Sequence, residues 1–254
     1  NLIGIGAATP ALHGMLSAAA DVFLPAASEC NFFGVAQAPF TKNGRGLLDY
    51  AEHFSGSQRF RYRADISPIY LHQPFSLPVI AKALPDAKIV VTLRRPLHRF
   101  LMQYEHHRAG HGYTDVNAYA ADALARLGPG SAFTTDWYAP EKNLACSLYA
   151  SAVKTCLSLF GELRCLVLLR EDLAVSWRED LEAFLGVPLQ EGRPLPSDPD
   201  FAPTVQLAPN IEQALEALFA QDLTEMPHAL KRRVEQSWFG ESAREMHTTL
   251  RNAA

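Results

Sequence analysis

Residues 1–16 read NLIGIGAATPALHGML. Residues 1–5 form a short apolar run that is typical of a buried strand, and apolar side chains then recur at helical spacing from Leu12 onward. The small residues 6–9 separate the two patterns and precede Pro10, which fits the first turn of a helix because its missing N–H group costs little there. The stretch therefore predicts a strand, a tight turn and a helix.

Two later runs, Lys88–Leu93 and Leu163–Leu169, are β-rich with few polar interruptions, as expected of parallel strands buried on both faces. Helical periodicity is found in six segments: 77–84, 96–108, 116–127, Asn143–Phe160, 176–185 and 211–219. Alternating strands and helices predict right-handed crossovers and an α/β fold with a doubly wound parallel sheet flanked by helices.

Composition narrows the class of protein. The 254 residues are 48% hydrophobic and carry a formal net charge of −4, which is typical of a soluble globular chain and gives no general attraction to nucleic acid. No apolar run approaches the roughly 20 residues of a transmembrane segment. We expect one domain over residues 1–254, in which a Pro-rich loop leads into a C-terminal helical part, 189–254.

The four cysteines, Cys30, Cys146, Cys156 and Cys165, form no C-x-x-C pair and have no histidine at zinc-ligand spacing. We therefore expect neither a metal site nor a redox motif. Cys156 and Cys165 fall at the end of a predicted helix and in the next strand, where a bridge is conceivable, but buried thiols in a reducing cytoplasm are the preferred interpretation.

Two places could carry chemistry, because ligands of open α/β sheets bind at the carboxyl ends of the strands. The first is the turn at residues 6–9, where free N–H groups at a helix start could cradle an anion; an ordinary strand-to-helix turn is the alternative. The second is Arg94, which follows Leu93 and precedes Arg95 and Pro96. Basic residues are unfavourable beside the positive N-terminus of a helix unless an anion is present. We therefore expect the planar guanidinium of Arg94 to bind a phosphate, and the alternative is that Arg94 is only a solvated residue at a helix start.

Four stretches, in this order, resemble the sulfotransferases that use 3'-phosphoadenosine 5'-phosphosulfate (PAPS), especially the heparan-sulfate-type enzymes and their bacterial relatives. They are residues 3–25, with the turn after IGIG; Ser28-Glu29-Cys30-Asn31-Phe32-Phe33; Ala64-Asp65-Ile66-Ser67-Pro68-Ile69-Tyr70-Leu71; and Arg94–Tyr104. A looser match runs from Leu148-Tyr149 to Pro188. The resemblance fades after residue 188.

The resemblance implies a P-loop-like sulfotransferase fold and the transfer of a sulfuryl group from PAPS to a hydroxyl of a carbohydrate or small natural product, leaving adenosine 3',5'-bisphosphate and needing no metal. By this resemblance Glu29 would be the catalytic base, and Arg94 would bind the 3'-phosphate of the donor. The donor site would consist of Gly6, Ala7, Ala8, Thr9, Arg94 and Met102, and the cleft that binds the acceptor would include Asp65, Ser67 and Tyr149.

This sequence departs from the family pattern at three positions. The lysine that normally contacts the phosphosulfate is replaced by Gly6 or Ala7, depending on the alignment of the turn. The serine eight residues after the 3'-phosphate arginine is Met102, and a frequent lysine of the Ser-Pro motif is Ile66. A substitute cation would have to be one of six lysines (Lys42, Lys82, Lys88, Lys142, Lys154 and Lys231) or an arginine such as Arg63 or Arg99.

Two functions follow from these departures. One is an active sulfotransferase with a rebuilt donor site, and the alternative is a sulfotransferase-like protein that no longer uses PAPS and acts in binding or in another reaction. A P-loop kinase is disfavoured because no Gly-Lys-Ser/Thr follows the first strand. Trp137 and Tyr138 are candidates for a sugar-facing wall.

Overall fold

The computed structural model describes residues 1–7, 9–27, 29–34, 46–73, 75–189 and 204–239. In chain order these contain β1 (Leu2–Gly6), α1 (Thr9–Leu16), β2 (Val22–Phe23), α2 (Leu47–Glu52), β3 (Tyr62–Ile66), α3 (Ser76–Ala83), β4 (Lys88–Leu93), α4 (Pro96–His106), α5 (Arg108–His111), α6 (Val116–Arg126), α7 (Pro140–Ala145), α8 (Ala150–Phe160), β5 (Cys165–Leu169), α9 (Trp177–Leu185), α10 (Pro209–Thr224) and α11 (His228–Phe239). Short 3-10 helices lie at Phe32–Gly34, Pro68–Leu71, Ser131–Phe133, Glu162–Arg164 and Arg170–Asp172.

The strands form one sheet in the order β2-β3-β1-β4-β5, and every neighbouring pair is parallel. Leu2 in the central strand β1 is in register with Ala64 of β3 and Lys88 of β4. The chain fills one side of β1 with β2 and β3 and then crosses to the other side for β4 and β5. This reversal opens a crevice at the carboxyl end of β1. The predicted α/β fold with a parallel sheet flanked by helices is confirmed.

The two faces of the sheet bury alternate residues of the same strands. Ile89 and Val91 of β4 pack in one cluster with helices α3, α8 and α11, while Val90 packs in another with α1 and α9. All five residues of β1 are buried. Burial on both faces explains why these strands have continuous apolar sequences rather than alternating ones.

The C-terminal helices α10 and α11 pack against the helices and strands described above. Leu215 and Phe219 of α10 lie in a third cluster with Phe100 of α4 and Tyr119 of α6. Trp238 of α11 packs in the cluster that covers β4. Among the described residues, every helix is too short or too polar to cross a bilayer.

The single helix predicted over Asn143–Phe160 is wrong, because the segment contains the end of α7 and, after a break, α8. The break is held by tertiary contacts. Asp222 of α10 accepts hydrogen bonds from the backbone N–H groups of Tyr149 (2.7 Å) and Ala150 (3.1 Å) at the start of α8. Such a cap from a distant helix satisfies the free N–H groups of a new helix start and cannot be detected from local periodicity.

The four cysteines are free thiols. The Sγ atoms of Cys156 at the end of α8 and Cys165 at the start of β5 lie 3.3 Å apart. The two thiols predicted to be neighbours are therefore in contact without being joined.

Candidate functional site

A cavity of about 590 Å³ opens where β1 and β4 end. Four groups of residues line it: Gly6, Ala7, Thr9 and Pro10 of the first turn and α1; Glu29 and Asn31; Pro68, Ile69 and His72; and Arg94 with one face of α4 and residues 137–146 opposite. The structure thus brings together the turn, the predicted base and the predicted phosphate-binding arginine. Ala8, also predicted in the donor site, lies outside the described residues.

The first turn has room for a side chain at position 7 and none at position 6. Gly6 has a φ of 107°, and a Cβ there would lie 2.0 Å from the backbone oxygen of Thr92. The N–H of Ala7 donates to that oxygen at 2.7 Å, which holds the turn against β4. A residue other than glycine at position 6 would be strained and would clash. Ala7 is therefore the position at which a lysine of the family pattern could stand.

The neighbouring arginines Arg94 and Arg95 serve different parts of the molecule. Arg94 lines the cavity and is 5% exposed, and its backbone oxygen accepts a hydrogen bond from the Tyr149 hydroxyl at 3.0 Å. Arg95 turns to the C-terminal helices, where its guanidinium pairs with Glu216 at 2.7 Å. Only Arg94 of the two brings its charge to the cavity.

Helix α4 presents one face to the cavity, formed by Arg99, Met102, Gln103 and His106. These positions follow the i, i+3, i+4, i+7 spacing of a helix surface. Met102 thus stands where the family pattern has a serine, and its thioether offers only a weak hydrogen-bond acceptor to a phosphate. The position reaches the cavity, but the hydrogen-bonding group is lost.

Glu29 is held at the cavity by the residue two positions later. The Asn31 side-chain amide donates to Oε2 of Glu29 at 3.1 Å, and the Asn31 backbone has a positive φ of 50°. The Asn31 backbone N–H donates to Oγ of Ser67 at 2.9 Å. Asparagine tolerates this left-handed conformation better than most residues, so it can fix the position of the carboxylate in an irregular segment.

Asp65 and Ser67, predicted in the acceptor cleft, are fully buried behind the cavity wall. Asp65 accepts hydrogen bonds from Ser67 (2.6 Å), Tyr70 (2.9 Å) and Tyr50 (3.2 Å). Burial raises the pKa of the Asp65 carboxyl, and these hydrogen bonds partly offset the rise. Ser67 thus bonds to Asp65 and also accepts the hydrogen bond from the Asn31 backbone. Asp65 and Ser67 therefore support the segment that carries Glu29. Tyr149 is also fully buried and reaches the site through Arg94. Acceptor binding by these three residues stays a prediction.

Several polar residues at the cavity were not identified as site groups by the motifs, among them Arg99, Lys142 and His72. Arg99 is 8% exposed, and its Nη1 donates to the backbone oxygen (3.0 Å) and Oδ1 (2.9 Å) of Asn143. Lys142 of α7 is 4% exposed, with Nζ 4.0 Å from the centroid of the Trp137 ring. His72 follows the Ser-Pro motif, and burial, together with Arg99 and Lys142, lowers its pKa well below the usual value. The sequence named the two cations only as possible substitutes and gave no signal for His72.

The other substitute cations lie elsewhere where the structure describes them. Arg63 is the second residue of β3, which begins at Tyr62. Arg63 donates to Oγ of Ser57 at 2.8 Å and is not part of the cavity lining. Lys42 lies outside the described residues.

Among the described residues that line the cavity, three carry a positive charge (Arg94, Arg99 and Lys142) and one is a carboxylate (Glu29). The described residues contain no group of three or more His, Cys, Asp or Glu side chains that could hold a metal ion. Such a cavity can bind an anion beside a carboxylate that can accept a proton.

Comparisons with known proteins place this fold among sulfotransferase structures. The chain is similar to the crystal structure of a sulfotransferase from Alicyclobacillus acidocaldarius, with a TM-score of 0.68 and 27% sequence identity over 91% of this chain and 98% of that one. The sulfotransferase domain from the curacin biosynthetic pathway matches with a TM-score of 0.49 and 16% identity over 92% and 95% of the two chains. No protein-family model and no curated protein matches the sequence. The chain therefore has a sulfotransferase-like fold.

Proposed function

We propose that this sulfotransferase-like chain is an enzyme that moves a sulfuryl group from PAPS to a hydroxyl of a carbohydrate or small natural product. The observation that carries the proposal is that Glu29, Arg94 and the first turn line one cavity. A proton acceptor and two separate groups that can hold negative charge thus face the same space.

When bound, PAPS supplies a sulfuryl group on a phosphosulfate, whose charges need cations and N–H dipoles around them. Ala7 and Thr9 lie at the turn and at the start of α1, and α1 has no acidic residue in its first turn. Backbone N–H groups at a helix start attract phosphate oxygens. Arg94 can hold a second phosphate through its planar fork. The glycine at position 6 suits a close approach of a ligand to the backbone.

Glu29 takes the proton of the acceptor hydroxyl in this proposal. The hydrogen bond from Asn31 orients its carboxylate at the cavity, leaving Oε1 as the oxygen that Asn31 does not contact. A positioned general base contributes about 10²- to 10⁴-fold to the rate. Gln at this position would keep the shape of the side chain and remove the basic oxygen.

The departures at Ala7 and Met102 predict slow turnover. Loss of one fixed electrostatic stabiliser commonly lowers a rate by about 100- to 1000-fold. The same two positions favour the second candidate function, a sulfotransferase-like protein whose cleft no longer uses PAPS and serves recognition or another reaction. Under that alternative Glu29→Gln leaves the biological activity of the protein unchanged, whereas the proposed enzyme loses at least about 100-fold in sulfuryl transfer.

Calorimetric titration with adenosine 3',5'-bisphosphate separates the two candidates. The proposed enzyme binds the bisphosphate, and Arg94→Ala weakens binding at least about tenfold, since charge-assisted hydrogen bonds contribute about 1.5–3 kcal/mol. Arg95→Ala is the matched control, because the neighbouring arginine pairs with Glu216 outside the cavity. Absence of binding to the parent protein would reject PAPS as the donor.

We place this activity in a reducing cytoplasm, with a small molecule or glycan as acceptor and no nucleic-acid partner. The support is the cysteine pattern of the sequence, in which four cysteines form no C-x-x-C pair and suggest no disulfide framework. Oxidising compartments favour such frameworks.

A further inference from the structure

Two buried cations at the cavity have no carboxylate partner among the residues that the structure describes. Arg99 and Lys142 are 8% and 4% exposed, and both line the cavity. The hydrogen bonds of Arg99 go to the neutral oxygens of Asn143 and Ser147, and Nζ of Lys142 donates to the backbone oxygen of Thr134. Burying a charge without an opposite charge is costly. Because both cations face an open cavity, we expect a bound anion to supply the missing negative charge.

The nearby carboxylates are engaged with other partners. Glu141, adjacent to Lys142, pairs with Arg126 at 2.7 Å. The charge of Asp136 acts on Lys142 and offsets part of its burial, but the two form no ion pair, and Asp136 accepts a hydrogen bond from the backbone N–H of Tyr138 at 2.9 Å. Glu29, the one carboxylate among the described residues that line the cavity, is bonded to Asn31. The counter-charge of Arg99 and Lys142 is therefore expected to come from a ligand.

Lys142 is the cation farther from the donor turn, because Arg99 lies in the first turn of helix α4, only five residues after Arg94. Arg94 directly follows β4, beside the turn that Thr92 holds. Lys142 lies against Trp137, and the next residue, Tyr138, contacts His107 just beyond the far end of α4, with ring centroids 5.3 Å apart. At about 1.5 Å per residue, α4 extends about 15 Å from its start to that end. The cavity thus has Arg94 at the sheet edge, Arg99 in the first turn of α4 and Lys142 beside Trp137, toward the far end of the helix.

The side chains around Lys142 suit a ring that carries a negative charge. Trp137 is 50% exposed and lines the cavity while its ring covers the Lys142 ammonium. His72 lines the same cavity, and burial, together with Arg99 and Lys142, lowers its pKa well below the usual value, which keeps the imidazole neutral. A neutral imidazole can donate one hydrogen bond and accept another.

We propose that Arg99, Lys142 and His72 form a second anion-binding subsite, which takes a carboxylate, phosphate or sulfate group of the acceptor with Trp137 as its aromatic wall. This proposal rests on the proposed sulfotransferase activity and narrows its acceptor to an anionic molecule. The sulfuryl donor occupies the first subsite, at Arg94 and the turn, at the same time.

The test uses inorganic sulfate as probe and the indole N–H signals of the three tryptophans as readout. Nuclear magnetic resonance spectra of protein labelled with 15N-tryptophan are recorded with adenosine 3',5'-bisphosphate at saturation, and Trp137→Phe identifies the Trp137 signal. We expect sulfate to shift this signal to a saturating value. Lys142→Met should raise the apparent Kd for sulfate at least tenfold, whereas Lys142→Arg, which keeps the charge, should retain binding and show that the site still folds.

Lys154→Met is the matched control, since Lys154 pairs with Glu225 on the surface at 3.0 Å and should leave the Kd unchanged. The sulfate titration is repeated without the bisphosphate. The proposal is overturned by an unmoved Trp137 signal, by equal Kd values in parent and Lys142→Met, or by a Kd for sulfate that is at least tenfold higher with the bisphosphate than without it. The two proposals can fail separately. If the parent protein binds sulfate at Trp137 but does not bind the bisphosphate, the second subsite is supported and PAPS is rejected as the donor.

Discussion

The hydroxyl of Tyr149 donates a hydrogen bond to the backbone oxygen of Arg94 at 3.0 Å, and Tyr149 is fully buried at the start of α8. The same tyrosine has its backbone N–H capped by Asp222 of α10. One residue thus connects the C-terminal helices to the arginine that faces the cavity. The position of Arg94 depends on residues far from it in the sequence.

Tyr149→Phe should therefore weaken both folding and ligand binding. It leaves the buried Arg94 oxygen without this donor, which lowers the free energy of unfolding by about 1–3 kcal/mol. We expect a several-fold weaker affinity for adenosine 3',5'-bisphosphate as Arg94 loses its support. Urea denaturation and calorimetry measure the two effects.

Tyr104→Phe provides the control for this change. The Tyr104 hydroxyl is buried and has no hydrogen-bond partner among the described residues, so its removal should leave both stability and affinity close to the parent values. Equal effects of the two substitutions would contradict a specific role for the bond between Tyr149 and Arg94.

Gly6→Ala should destabilise the protein strongly. The added Cβ meets the Thr92 oxygen at 2.0 Å, and the φ of 107° is unfavourable for alanine. The backbone strain alone costs about 1–3 kcal/mol, and the clash adds to it. Gly56→Ala tests the strain by itself, because Gly56 has a φ of 81° but no atom lies within 4 Å of the place that its Cβ would take. Denaturation midpoints that coincide for the two variants would show that the turn relaxes away from β4.

Periodicity and turn chemistry predict the parts of the site that local sequence controls. Residues 1–16 predict the first strand, its turn and α1, and the basic pair Arg94-Arg95 between an apolar strand and a proline predicts a cation at the sheet edge. Parallel strands buried on both faces leave a continuous apolar pattern, which is why the predicted and observed bounds of β4 agree.

Distant contacts decide what the sequence could not show. Arg94 and Arg95 are equivalent in the local pattern, and only the pairing of Arg95 with Glu216 of α10 separates their roles. The break before α8 depends on Asp222 in the same helix. His72 reaches the cavity because a 3-10 helix follows β3, a change of backbone direction that no periodic pattern announces.

The buried carboxyl of Asp65 should give stability an unusual dependence on pH. Its pKa is raised above the ordinary value of 3.8, mainly by burial. Between the unfolded and the raised folded pKa, the folded state binds more protons than the unfolded state, so the contribution of Asp65 to stability is full below about pH 4 and declines as the pH rises through this window.

Unfolding free energies of the parent and Asp65→Asn, measured from about pH 4 to about pH 8, test this sign. The parent should lose stability relative to the variant as the pH rises. A parent that gains stability relative to Asp65→Asn with rising pH would show that the three hydrogen bonds outweigh burial.

Ala7→Lys tests whether the missing cation limits the donor site. Ala7 lines the cavity, and Gly6 cannot carry a side chain, so position 7 is the place in this turn where a lysine can reach a bound phosphosulfate. A new charge-assisted contact of about 1.5 kcal/mol should tighten adenosine 3',5'-bisphosphate about tenfold. Ala7→Met supplies the length without the charge and should not tighten binding. If both variants bind as the parent does, the ligand of this cavity places no phosphate at the turn, and the alternative of a repurposed cleft gains over the sulfotransferase.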